Sequence, residues 1–116
     1  MAHKSPAATP EAWAFTDLDG RIESASRGVG NLLGVGGLRR GDDLLNLLPL
    51  PRKALWHDID AALRGWPSSR TVTIEAGWRE RKVRYRVSRR LQQAGEGLFW
   101  LLDEPSPGDL EATGTV

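Results

Sequence analysis

The sequence predicts an α+β domain: a five-stranded antiparallel sheet with short helices and one longer helix packed on one face. Three observations carry this expectation. Two strand-like segments flank Asp19-Gly20 near the start, a stretch of helical period occupies the middle, and three strand-like segments close the chain. Strands and helices segregated along a sequence in this way favour helices gathered on one side of an antiparallel sheet, not a βαβ alternation.

Residues 11–18 and 21–25 read as the first two strands. Asp19-Gly20 between them is a strong signal for a two-residue type I′ hairpin turn, in which both central residues need positive φ. Residues 26–34 read as a short helix capped by Ser26. Gly28 and Gly30 each weaken it by up to about 1 kcal/mol relative to alanine. Gly34, Gly36, Gly37 and Gly41 punctuate a loop, after which Asp42 or Asp43 caps a single turn, Leu44–Leu48, stopped by Pro49. Pro51 opens the longest helix, 51–65, in the position proline favours. With Leu55 set at zero and about 100° per residue, Ile59, Ala62 and Trp66 all lie within about 40° of zero. Gly65 and Pro67 end the helix. Residues 70–75 and 82–88 alternate with period two, and a turn at 94–97 leads to the strand Leu98–Leu102. The domain is therefore expected to occupy 11–104, between a disordered arm at 1–10 and a flexible tail at 105–116.

A chain of 116 residues without internal repeats is one domain with one core. It has no cysteine, which excludes disulfides, thiolate nucleophiles, iron–sulfur clusters and cysteine zinc sites and accords with the cytoplasmic location expected for it. The longest apolar run, Leu98–Leu102, is too short to span a bilayer, and the segment Met1–Pro6 lacks the apolar core of a signal peptide, so no membrane association is expected. A net charge of +1 sets up no global field toward nucleic acid. Five tryptophans against one tyrosine and two phenylalanines are expected to serve packing first, with some lining a ligand cavity.

The segment Phe15-Thr-Asp-Leu-Asp-Gly-Arg-Ile22, followed by Asn31-Leu-Leu-Gly-Val35, resembles the opening of a PAS domain. That pattern runs roughly Thr-Asp-x-x-Gly-x-Ile and then a helix ending Leu-x-Gly-Tyr. The order of elements across 11–104 resembles the PAS fold throughout. The resemblance implies a sensory or protein-interaction domain in signal transduction, not an enzyme, in which a small ligand or a partner shifts a two-state packing. Two departures stand out. Ser26 occupies a place where many PAS domains carry asparagine, and Asp103-Glu104 runs into Pro105-Ser-Pro107, where many sensors continue into a coiled-coil helix.

The candidate site residues follow from the faces. Haem-binding PAS domains place their iron ligand on the long helix, where His57 lies. His57 falls near 200° on the wheel with Lys53 and Asp60, so it is expected in solvent and haem is not expected. Cysteinyl-flavin chemistry lacks its cysteine, and no motif names another cofactor. Gly28-Val-Gly-Asn-Leu-Leu-Gly34 is one residue off the dinucleotide fingerprint and has no acidic residue at the ribose position. Asp17/Asp19, Asp42/Asp43 and Asp58/Asp60 read as a turn, a cap and two diverging helix positions, and Ser68-Ser69 has no base at a recognisable spacing. No catalytic or metal site is expected.

A ligand cavity is expected among Trp56, Ile59 and Leu63 on the long helix and Val72, Ile74, Val83, Tyr85 and Trp100 on the strands. The last strand is apolar on both faces: Leu98, Trp100 and Leu102 on one, Phe99 and Leu101 on the other. With Trp100 turned inward, Phe99 and Leu101 face outward, rimmed by Arg84 and Arg86, and a homodimer through that face is expected. The alternatives are a ligand-free dimerisation scaffold, or a module that meets an acidic partner through the arginine face. Nucleic acid is not expected, because the only tyrosine points with the valines.

Overall fold

A computed structural model describes residues 12–67, 69–76, 79–92 and 95–105. The expected arm at 1–10 and the tail beyond residue 105 lie outside the described residues. Strands β1 (Ala12–Thr16) and β2 (Ile22–Ala25) come first, then helices α1 (Arg27–Leu33), α2 (Leu44–Leu47) and α3 (Arg52–Leu63). Strands β3 (Ser69–Ala76), β4 (Arg79–Gln92) and β5 (Gly95–Asp103) close the chain. All neighbours are antiparallel and the sheet order is β2-β1-β5-β4-β3, so the last strand is central and pairs with the first.

The C-terminal strands are longer than the alternation indicated. β4 runs for 14 residues because it serves two neighbours at different places. β3 pairs with it from Arg79 to Arg86, and β5 pairs with it from Arg84 to Gln92. Every second residue of β4 between 83 and 87 points inward: Val83, Tyr85 and Val87 are fully buried. Ala12, Ala14 and Thr16 of β1 and Leu98, Trp100 and Leu102 of β5 share that inner face, and Val72 and Ile74 extend it onto β3. α3 packs on β4, while α1 packs on β1 and β5, so the core lies between one sheet face and the helices.

Three local expectations need correction. The hairpin does not turn at Asp19-Gly20 alone. The Gly20 N–H donates to the Asp17 carbonyl, which makes Asp17–Gly20 the turn, with Gly20 left-handed at φ +89° after it. Asp17 organises this longer loop: its Oδ1 accepts the N–H groups of Asp19 and Arg21, both at 2.9 Å. Ser26 precedes α1 but makes no side-chain cap to it. Its hydroxyl accepts the Trp13 N–H at 2.9 Å, and its own N–H donates to the Trp13 carbonyl, so it closes the β1–β2 ladder. Finally, Trp66 does not join the core face of α3 and is 69% exposed. The helix stops at Leu63 and the chain turns at Gly65, so helical spacing no longer governs residue 66.

The cap reading at Asp43 agrees with the structure, since its carboxylate accepts the Leu45 N–H. The same loop covers the sheet edge: Ile22 N–H donates to Asp42, and Gly41 N–H to Ile22, so β2 is not left as an open edge there.

Gly30 has a role that helix propensity alone hides. A Cβ built on it would sit 1.7 Å from the Gly36 carbonyl oxygen, a backbone atom. The helix and the following loop therefore touch backbone to backbone, and the Val35 N–H donates to the Gly30 carbonyl at 3.0 Å. Gly30→Ala, which raises intrinsic helix propensity by about 1 kcal/mol, is expected to destabilise the domain by about 2 kcal/mol or more through overpacking. Urea unfolding measures the sign, and a stabilised variant would refute this close contact.

Candidate functional site

The inner face converges on one buried carboxylate. Asp58 on α3 is 3% exposed, yet it lies only one turn from Leu55, about 60° off the centre of the apolar face. A buried carboxylate is tolerable only when its lone pairs are filled. Here Arg70 Nε and Nη2 donate to its two oxygens at 2.7 and 2.9 Å, and the Tyr85 hydroxyl donates to Oδ2 at 2.6 Å. Burial disfavours the charged carboxylate, but the hydrogen bonds from Arg70 and Tyr85 and the guanidinium charge outweigh it and hold Asp58 below its ordinary value. Burial, then the hydrogen bond and negative charge of Asp58, push the Tyr85 phenol well above its ordinary value. The carboxylate is thus a charged acceptor held by three hydrogen bonds and below its ordinary value, which makes it a poor general base.

The polar path continues through the core. The rings of Tyr85 and Trp100 lie 5.6 Å apart at 50°. The Trp100 Nε1–H donates to Thr16 Oγ1 at 2.9 Å, and the Thr16 hydroxyl donates to the Asp17 carbonyl at 2.8 Å. Ile59, Val72, Ile74, Val83, Tyr85 and Trp100, all expected around a cavity, come together in one buried cluster, and Leu63 packs against its margin. Trp56 does not join them. It sits about 100° round α3 from Leu55 and is 41% exposed. His57 is exposed, as its position on the wheel indicated. Among the described residues, no three of His, Asp and Glu are grouped to hold a metal.

The outer face carries the second arrangement. Register places Trp13, Leu101 and Arg86 in one row across β1, β5 and β4, and Phe15, Phe99 and Ser88 in the next. The Trp13–Phe15 and Phe15–Phe99 ring centroids are 5.1 and 5.2 Å apart. Leu101 is 49% exposed, so the stripe meets solvent. Arg90 crosses to lie 4.2 Å over the Phe15 ring, and its register partner on β5, between them, is Gly97, which has no side chain to block the way. Arg84 forms a bidentate pair with Asp103 at 3.0 and 2.8 Å. Arg86 faces outward without an ion pair to any described residue. A shallow groove of about 230 Å³ borders the stripe, between Ser69, Arg84, Arg86, Leu101 and Asp103. The expected interface residues Phe99, Leu101, Arg84 and Arg86 are therefore on one face. Trp13, Phe15 and Arg90 complete it, and strand alternation from Ala12 and Ala14 was the available signal for the first two.

No protein-family model matches the sequence, and no curated protein matches it at the sequence level. Solved structures do match. The PAS domain of BvgS from Bordetella pertussis aligns with a TM-score of 0.60 and 16% identity over 90% of this chain and 85% of that one. The PAS domain of nitrogen regulation protein NR(II) from Vibrio parahaemolyticus aligns with a TM-score of 0.56 and 18% identity, over 82% and 89%. The Vibrio cholerae VqmA dimer aligns with a TM-score of 0.67 and 15% identity over 90% of this chain but 52% of that one, so this chain spans about half of VqmA. The chain has the PAS fold.

The Asp58 cluster yields a testable pH dependence. Because its carboxyl is held low, the stability it contributes is present in full above the unfolded-state value of about 3.9 and is lost as pH falls through the lower folded-state value. Asp58→Asn is expected to be less stable than wild type by about 2 kcal/mol near neutral pH, one charge-assisted contact's worth. The gap should narrow below about pH 4. Urea unfolding across that range checks it, and a gap that stays constant into strong acid would mean that Asp58 is not the ionised partner.

Proposed function

We propose that this PAS-fold domain is a non-catalytic sensory and protein-interaction module of a signalling protein, and that it works through the outer face of its sheet as a homodimer. The observation that carries this reading is the solvent-facing stripe of Trp13, Phe15, Phe99 and Leu101 in the middle of the sheet, with a cationic margin at Arg84, Arg86 and Arg90. Aromatic centres with polar rims are the usual build of protein interfaces. The dimeric state of the fold-mate VqmA supports it.

Sensing is the second half of the proposal. A small apolar ligand would seat among Ile59, Leu63, Val72, Ile74, Val83, Tyr85 and Trp100 by parting Tyr85 from Trp100, with Asp58 and Thr16 keeping the polar ends of both rings in place. VqmA has been solved bound to DPO, which supports ligand binding within this fold. One observation favours a different partner for the outer face. Arg86 has no acidic counterpart among the described residues, so an acidic protein segment would complete it.

Sedimentation separates the readings. Wild type is expected to be dimeric at tens of micromolar, and Phe99→Glu/Leu101→Glu to be monomeric with unchanged fold, since both positions face outward. A wild type that is monomeric at about 100 µM, with the double variant unchanged, would refute the dimer. An acidic partner would instead bind with a steep loss as salt rises, because rim charges are screened.

A further inference from the structure

We propose that a second cleft, on the helical side of β2, is a binding site for a small organic anion: a carboxylate or phosphate carried on an apolar body. The cleft holds about 440 Å³ and lies between Ser26 at the end of β2, the exposed side of α1, and the loop at 36–38. That volume falls within the range of small-molecule sites, roughly 300–1,000 Å³. None of its lining residues is among those expected around the interior cavity or in the outer-face stripe, although Ala25 and Leu38 pack against the margin of the core, so it goes beyond the reading above.

Its chemistry is one-sided. Arg27 is the single charged residue among those lining it, and no carboxylate lines it. Arg27 makes no hydrogen bond or ion pair with any described residue, so its guanidinium is available to a ligand. The nearest acids along the loop are committed elsewhere: Asp42 accepts the Arg39 N–H, and Asp43 holds Leu45 N–H and Arg52. Asn31 stands one turn after Arg27 on the same side of α1 and adds an amide donor. Across the gap, the N–H groups of Gly36 and Gly37 have no acceptor among the described residues. Residues with donors to offer therefore line the cleft on both walls, and a charge-assisted contact to guanidinium is the strongest available to an anion. Ala25 and Leu38 supply the apolar remainder.

The walls are held apart by design of the backbone. Gly30 lies close against the Gly36 carbonyl, and the Val35 and Gly34 N–H groups bond Gly30 and Asn31. The loop cannot collapse onto Arg27 without breaking these contacts. A pocket already formed loses less on binding than one that must be ordered.

The test uses the full chain labelled with ¹⁵N, titrated at constant ionic strength with sodium benzoate and with sodium phenyl phosphate. Benzamide and benzyl alcohol are the neutral controls. Saturable shifts of the Gly36 and Gly37 amides are expected with one or both anions and not with the controls. Arg27→Ala should weaken binding about tenfold or more, while Lys53→Ala, an exposed cation on α3, leaves it unchanged. Which anion binds more tightly identifies the headgroup. The proposal is overturned if neither anion saturates these amides by about 20 mM, if the neutral controls bind equally, or if Arg27→Ala leaves affinity within about twofold.

Discussion

A carboxylate buried under a helix is the constraint on which the rest of the inner face depends. Asp58 stays charged only because three hydrogen bonds from Arg70 and Tyr85 replace the water it has lost. Those bonds fix α3 against two strands at once, β3 through Arg70 and β4 through Tyr85. They also set the direction of the phenol, which sets how its ring meets Trp100, and the Trp100 indole reaches Thr16 on β1. A line of hydrogen bonds, joined in the middle by the packed rings of Tyr85 and Trp100, therefore crosses the apolar core from one edge strand to the first hairpin. Arg70 is partly open to water, with 36% of its side chain exposed, so screening tempers its share of the stabilisation. Removing either donor would still leave part of a buried charge unmatched, the costly outcome in such a cluster.

The two faces of the sheet solve different problems with the same alternation. Inward residues of β1, β4 and β5 fill the core, and Trp100 and Tyr85 are the largest of the fully buried side chains there. Outward residues of β1 and β5 are also apolar, but only β4 supplies cations beside them. The result is asymmetric: an aromatic stripe on the interior strands β1 and β5 and arginines to one side of it on β4. Arg90 folded over Phe15 partly shields the stripe while keeping its charge in water. Leu101 in the stripe still meets solvent, which is the feature the proposed partner surface would cover.

Much of this was legible from local pattern. Period-two alternation in β3, β4 and β5, and a helical face of Leu55, Ile59 and Ala62, are short-range signals, and the structure keeps all of them. What escaped was long-range or set by chain turns. The partners of Asp58 stand 12 and 27 residues away, so nothing in the helix itself announces them. Only its place at the margin of the apolar face hinted at burial. Trp56 and Trp66 show the converse: large apolar residues next to a core face, turned outward by the helical rotation and by the stop at Leu63. Ser26 looked like a cap because serine favours that role, but the neighbouring strand offered its hydroxyl a better donor, the Trp13 N–H.

Ser26 also ties the two unpartnered surfaces together. It lines the cleft beside α1, and two hydrogen bonds join it to the backbone of Trp13, whose indole heads the outer stripe. The other end of α1 is anchored as well: Arg81 on β4 donates to the carbonyls of Asn31 and Leu32 in its last turn, where Asn31 also accepts the Gly34 N–H. The helix that walls the cleft is thus bonded at its start to β1 and at its end to β4, the two strands that flank β5 in the sheet. On the proposed reading, a ligand whose grip on Arg27 and Asn31 differed between two settings of α1 would bear on β1, which carries Trp13 and Phe15 of the stripe, and a partner on the stripe would bear equally on the cleft.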